Sequence, residues 1–466
     1  MLRAEHLDRA DDPQATQAFL AAAHQQFDRF RYDAALGLVE HGLARAGALN
    51  AVPDMVCALT MLQGDLLREM GRSNESIAAF AAAVELAAHD TPAHCHAWMG
   101  VAAGHRITGE FAQAMQALMQ AQPVAERLGL DVELSRIHHT RGNLHFAQGH
   151  VQACEGQHRL ALECARRGGS AECEVHALSG MGDAQYSQGR MRTALEQFRR
   201  CVEMCAEHGW VRIEIPNRCM VAFCLLFCNR TDEATWEAQR ASEDAQRIGV
   251  VPNRIFSLVS LGQTHLEAGR FDDMEQTCLA LLPLARLAGH RRFEINGLDL
   301  LARVRLHQAL RDEALQHARA AFLLARQSGL GFAGAWLCGL TARAAASPQE
   351  RARALQEGEE LLKQPSVAHN HLWFHRDAIE VCVDSGDWDA VLRYANALEA
   401  FVSAEPLPWA VLVVERGRAL ECLARGTDRP AALLRLKELR RAIAANGSNW
   451  ALAAIDRALQ SAVVND

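Results

Sequence analysis

The stretch GMGDAQYSQGRMRTALEQFRRCVEMCAEHG, residues 180–209, holds the pattern that decides the fold. Two apolar-periodic segments meet at Gly189, and Gly209 closes the second. That predicts a helix, a tight turn and another helix, ending on a glycine free to take positive φ. The stretch then recurs. Closing glycines stand at Gly129, Gly169, Gly209, Gly249, Gly289 and Gly329, each 40 residues after the last. Inner turns fall at Gly71, Gly109, Gly149, Gly189, Asn229 and Gly269, at or within two residues of the same spacing.

Aligning the units on the inner turn brings out the packing rule. Seven residues before it sits a small residue: Gly64, Ala102, Gly142, Gly182, Ala222, Gly262 and Ala302. Five after it the side chain is small again, as in Ser76, Ala114, Cys154, Ala194, Ala234 and Ala314. Nine after it several units place a larger apolar residue: Phe80, Leu118 and Phe198. Small residues let two helix backbones approach, and the bulky one fills the gap between them. Each unit keeps an apolar face that only the next unit can cover. The expected fold is all-α, a right-handed superhelical solenoid of about eleven antiparallel helix pairs, elongated in shape with an open concave face.

The combination Gly182, Tyr186, Gly189, Ala194 and Phe198 resembles the tetratricopeptide repeat (TPR). TPR units usually have about 34 residues and HEAT or armadillo units about 40–47, so spacing alone points elsewhere and the side-chain pattern decides. Long units of this kind resemble the helical sensor and scaffold regions of bacterial signalling ATPases, among them maltose-regulator-type factors and ATPase–nucleotide-cyclase fusions. The opening AEHLDRADDPQATQAFLAAAHQQFDRFRYDAALGLVEHGLA and the late DAIEVCVDSGDWDAVLRYANALEAF resemble the corresponding ends of the cyclase-fusion scaffold.

Four segments are expected: N-terminal helices with the first repeat (1–50), a regular solenoid (51–330), irregular repeats (331–440) and a capping helix (441–466). Asp12-Pro13 marks a helix start, acid at the N-cap and proline at the first helical position. Phe19, Phe27 and Phe30 are expected on one helical face. Beyond Gly329, Gln364-Pro365 and Glu405-Pro406-Leu407-Pro408 interrupt the rhythm. Four of the eight tryptophans (Trp373, Trp388, Trp409, Trp450) fall there and are read mainly as packing, with a local pocket around His369–Trp373 as the alternative.

Composition narrows the function. A net charge of −8 argues against a nucleic-acid partner, which needs a basic face. No apolar run is long enough to span a membrane, and the charged start MLRAEHLDRADDP has no secretory core. Fourteen cysteines without framework spacing fit a reducing compartment, so a cytoplasmic location is expected. The two lysines, Lys363 and Lys437, both follow leucine, which excludes a Walker loop. GxSxG, HExxH and dinucleotide fingerprints are absent as well. Cys201, Cys205, Cys219, Cys224 and Cys228 could in principle gather around zinc, but no CxxC knuckle fixes them and cysteine packs well as a small hydrophobe. No catalytic residue, metal or cofactor is expected.

The concave face remains. The TPR resemblance implies that groove-lining positions lie three before the small residue, one and four after it, and six before it. They give Asp65, Arg68, Arg106, Arg136, His139, Asn143, Phe146, His176, Asp183 and Tyr186. The chaperone-binding clamp of the family is matched only at Asn143; His139, Gly180 and Met220 depart from it. The expectation is a non-catalytic protein-interaction scaffold of regulatory type, holding an acidic peptide or helix along a basic groove. The alternatives are a small-molecule-sensing module or a detached part of an ATPase–cyclase enzyme.

Overall fold

The computed structural model describes residues 2–12, 14–48 and 51–464. It contains 24 α-helices and, among the described residues, no strand. After α1 (Leu2–Arg9) come α2 (Ala15–Phe27) with α3 (Tyr32–Ala46), and α4 (Pro53–Glu69) with α5 (Ser73–Leu86). Next are α6 (Pro92–Thr108) with α7 (Phe111–Leu128), α8 (Asp131–Gln148) with α9 (Val151–Arg167), and α10 (Ala171–Ser187) with α11 (Met191–His208). The middle pairs are α12 (Val211–Phe227) with α13 (Thr231–Ile248), α14 (Val251–Ala268) with α15 (Phe271–Leu287), and α16 (Arg291–His307) with α17 (Arg311–Ser328). The last are α18 (Leu330–Ala344) with α19 (Pro348–Leu362), α20 (Ala368–Ser385) with α21 (Trp388–Phe401), and α22 (Pro408–Arg425) with α23 (Arg429–Asn446). Helix α24 (Leu452–Val464) packs Ala454 and Ile455 onto Leu420, Leu436 and Ile443 of the final pair. Eleven pairs form a right-handed solenoid.

The small-and-large rule works as a knob between two holes. Phe80 on α5 lies against Gly64 of its own pair and Gly100 of the next, where an added Cβ would meet its ring at 2.7 and 2.2 Å. A glycine in each facing helix is what admits the ring. In the pair that turns at Gly149 the knob is His158, buried between Gly142 and Gly180. Neither of its ring nitrogens has a partner, and burial pushes its pKa down to about 3, so it packs as a neutral ring.

The inner turns take the left-handed conformation expected of them, Gly189 at φ +80° and Asn229 at +56°. Phe30 (+57°) and Ala309 (+63°) hold the same turn without glycine. Phe30 therefore sits at a turn and not on the helical face with Phe19 and Phe27. Asp12 accepts a hydrogen bond from the Gln14 N–H at 2.8 Å, while Pro13 lies outside the described residues.

The concave face is not open. Each inner turn of the first superhelical coil rests on an outer turn about five pairs further along. Ser73 Oγ donates to Ala288 O at 2.7 Å, and Gly149 lies against Pro365 and Ser366. Arg192 N–H and Thr193 Oγ1 both donate to Glu405, at 2.6 and 2.7 Å. Thr231 Oγ1 meets Ser448 Oγ at 3.2 Å. Successive coils thus stack in contact, and the groove becomes a lumen walled by the first helices of both coils.

Candidate functional site

Half of the lumen is filled. From α14, α16, α20 and α22 it receives Glu267, Asp299, Arg303, Arg376, Asp377 and Trp409. Arg303 bonds both Asp377 oxygens (3.1 and 2.8 Å) and Asp299 (3.2 Å). Arg376 reaches Glu267 at 3.1 Å and Asp377 at 3.3 Å, and Trp409 Nε1 donates to Glu267 at 3.0 Å. Burial works against the charge on Asp377, yet Arg303 and Arg376 outweigh it and hold the carboxyl well below the usual carboxylate range. Every ion in this plug has its counter-ion.

The other half is a cavity of about 320 Å³ that solvent still reaches. Seven of the ten residues expected on the groove line it: Arg106 (α6), His139, Asn143 and Phe146 (α8), and His176, Asp183 and Tyr186 (α10). Three do not. Asp65 and Arg68 pair with each other at 2.5 Å, and Arg136 is exposed elsewhere on α8. The expected basic row along one coil is thereby reduced to Arg106, since burial depresses the pKa of His139 and His176 and favours their neutral forms.

The opposite wall comes from the second coil, with Arg292, Phe293 and Asn296 on α16, Phe332 on α18, and His369 and Trp373 on α20. Phe223 and Phe256 complete it from α12 and α14. Beyond Tyr186 the same groove offsets give Phe223, Phe256, Val259 and Asn296, all of which line the cavity. Arg292, Phe332, His369 and Trp373 depend on the stacking of coils, which no repeat offset encodes. The segment His369–Trp373, set aside in favour of packing, supplies two of the lining residues.

Rigid packing ties the two walls together. His369 Nε2–H donates to Phe332 O at 2.7 Å, which leaves Nδ1 to accept from the Tyr186 hydroxyl at 3.2 Å. Burial pushes His369 down to about 3, in keeping with that neutral tautomer. The polar groups around the open space are less well served. Among the described residues Asp183, Arg106 and Arg292 have no ion-pair or hydrogen-bond partner, and Arg292 Nε is buried without one. His290 Nδ1, Asn217 Oδ1 and Asn296 Oδ1 are likewise unpartnered. Burial pushes Asp183 up to about 7 against the opposing pull of Arg292 and Arg106. It pushes Arg292 down to about 10, with the charge of Arg106 adding to the effect.

The cysteines pack. The thiols of Cys57, Cys95 and Cys201 donate to carbonyls of neighbouring helices at 3.6 Å. Among the described residues no three His, Cys, Asp or Glu side chains are placed to hold a metal ion. No helix among them is long and apolar enough to cross a membrane.

Fold and site together define the class: an α-solenoid of TPR-like pairs whose coils enclose a polar cavity. Residues 61–90 match the tetratricopeptide-repeat family, within the unit that turns at Gly71. Tetratricopeptide repeat protein 29 of Trypanosoma brucei brucei is 28% identical over 158 residues, 34% of this chain. The chain spans about a third of that relative's length, 32%. Among solved structures, the Cut9–Hcn1 hetero-tetramer of APC/C has a TM-score of 0.54 at 12% identity, covering 97% of this chain and 87% of that one. A Rap protein complexed with Competence and Sporulation Factor has a TM-score of 0.50 at 10% identity, covering 75% and 99%. At such identities the likeness is one of fold.

Proposed function

We propose that this chain is a non-catalytic interaction protein of regulatory type, and that the lumen is its recognition site. One observation carries the reading: the first helices of both coils converge on a cavity where Arg106, Arg292 and Asp183 make no ion pair among the described residues. The TPR-like build supports a scaffold role, because stacked pairs present long surfaces to other chains. A Rap protein of similar fold was solved with Competence and Sporulation Factor bound, which supports a bound partner here as well. The likeness to ATPase–cyclase scaffolds would make that partner part of a signalling system.

Size limits what enters. The cavity measures about 320 Å³ and takes its walls from both coils, which suits either one anchoring group of a partner or a separate small molecule. The position of the cavity between the coils favours the second, a sensing module in which occupancy of the lumen controls capture of a partner that docks elsewhere.

The test is a native pull-down analysed by mass spectrometry, comparing wild type with Arg106→Gln/Arg292→Gln. Loss of a specific partner from the variant is the expected outcome. A partner retained at wild-type level would remove the lumen from consideration as the recognition site.

A further inference from the structure

Arg106 and Arg292 lie five pairs apart in the chain and face the same cavity. The Arg292 guanidinium stands over the rings of Phe293 and Phe332, 5.0 and 4.9 Å from their centres. Stacking engages the faces of the group and leaves its edge N–H donors for another acceptor. Arg212, a third cation of the lining, is already taken by Glu69 at 2.6 Å. Asp183 is the only carboxylate in the lining. Two guanidinium groups without a counter-ion against one carboxylate leave one positive charge uncompensated in a cavity that Phe146, Phe293 and Phe332 help to wall. An unpaired charge in such a place is costly unless a counter-ion arrives.

We propose that the cavity binds a small organic acid, its single carboxylate held between Arg106 and Arg292 and its flat apolar body among Phe146, Tyr186 and Phe293. This rests on the reading of the lumen as a recognition site and names what enters it. With Asp183 ionised, a monoanion balances the charge, and a phosphate dianion would set an excess negative charge against it. A cavity of about 320 Å³ suits an acid of one ring and a short arm. Because the two arginines belong to different coils, the bound carboxylate also fastens one coil to the other.

The test uses the full chain and calorimetric titration with benzoate, phenylacetate and 3-phenylpropanoate, each beside its neutral amide. At least one acid is expected to bind at one per chain and to raise the melting temperature, with its amide at least tenfold weaker. Arg106→Gln and Arg292→Gln should each weaken that acid at least tenfold, and neither should lower the melting temperature of the ligand-free protein. Equal binding of acid and amide, or no binding of any acid, would overturn the proposal. So would unchanged affinity in both variants, or tighter binding of phenyl phosphate than of every acid. A pentapeptide ending in phenylalanine that binds where the free acids do not would assign the carboxylate to a chain end and overturn the small-acid assignment. If a partner is captured in the pull-down in an arginine-dependent way but no acid binds, the recognition-site reading stands and this proposal falls. Acid binding with partner capture indifferent to the arginines gives the reverse.

Discussion

The two halves of the lumen are built from the same helix series and treat charge in opposite ways. In the plug, Arg303, Arg376, Asp299, Asp377 and Glu267 are all buried and joined by ion pairs of 2.8–3.3 Å. Around the cavity, Arg106, Arg292 and Asp183 touch no counter-ion at all. Both halves bear the cost of taking ions out of water, but only the plug recovers it through Coulomb attraction. The plug therefore reads as structure. On the proposed function, the cavity is a site whose missing interactions come from outside the chain.

The sharpest way to break that contrast is to delete one arginine from each half. Arg303→Met leaves Asp299 and Asp377 facing each other without their shared cation. Removing one partner of a buried pair costs about 3–5 kcal/mol, so a large fall in melting temperature is expected. Arg292→Met removes a cation that has ring contacts but no counter-ion, and the expected change is small, far below that of Arg303→Met. Calorimetry on both variants checks this. Equal losses would mean that Arg292 holds the fold as Arg303 does, and the distinction between the halves would collapse.

A smaller effect separates the lumen side from the outside. Gly149 and Gly209 both have positive φ, +77° and +71°. A β-branched residue there carries roughly 1–2 kcal/mol of backbone strain at either position. At Gly209 nothing lies within 4 Å of an added Cβ, so strain is the whole effect. At Gly149 that Cβ would also meet Ser366 Cα at 2.6 Å and Pro365 O at 2.7 Å, backbone of the next coil. Gly149→Val should therefore destabilise more than Gly209→Val. Hydrogen exchange should quicken at the start of α20 as well as in α8 and α9, while Gly209→Val loosens only α11 and α12. Purely local loosening in Gly149→Val would show that the coils do not lean on each other.

Most of the architecture was legible because repetition multiplies weak signals. A single glycine is ambiguous, but six at a constant interval fix the turns, and with them the small residues that face the bulky knobs. The first wall of the cavity followed from the same offsets, which is why Arg106, His139, Asn143, Phe146, His176, Asp183 and Tyr186 were found together. The second wall did not. A repeat pattern reports contacts between neighbouring units, whereas Arg292 meets Arg106 only through the pitch of the superhelix. Pitch is the sum of small rotations at every interface, and no single residue encodes it. For the same reason the sequence suggested a basic groove along one coil where stacking makes a lumen walled by both, with Arg68 already paired with Asp65. The plug was hidden differently. Asp299 and Arg303 stand at groove offsets, but nothing local distinguishes a charge that will meet its partner from one that will not.

The finest distinction between the halves is their response to pH. Asp183 is pushed up to about 7 in the folded chain, from an ordinary value of 3.8. The folded state thus holds its proton more tightly than the unfolded one. The stabilisation from this group is complete below about pH 4 and is lost as pH rises through about 7. The groups facing it from other elements pull the opposite way. Burial lowers His139 on α8, His176 on α10, His290 before α16 and His369 on α20, and their contribution is lost as pH falls below their ordinary 6.5. Arg106 and Arg292 stay charged throughout this range. A wild-type profile alone therefore mixes two slopes, and the informative quantity is the difference between wild type and Asp183→Asn. That difference should shift against wild type between pH 4 and 7 and level off above it. Asp377 in the plug, whose carboxyl is held far down by Arg303 and Arg376, should give no such slope in this window when compared with Asp377→Asn. Binding of a carboxylate should follow the same curve, weakening as Asp183 ionises beside it, and should lose that pH dependence in Asp183→Asn. A stability difference that stays flat from pH 4 to 7 would mean that Asp183 is ionised and solvated like a surface acid, and the pH dependence expected of carboxylate binding would vanish with it.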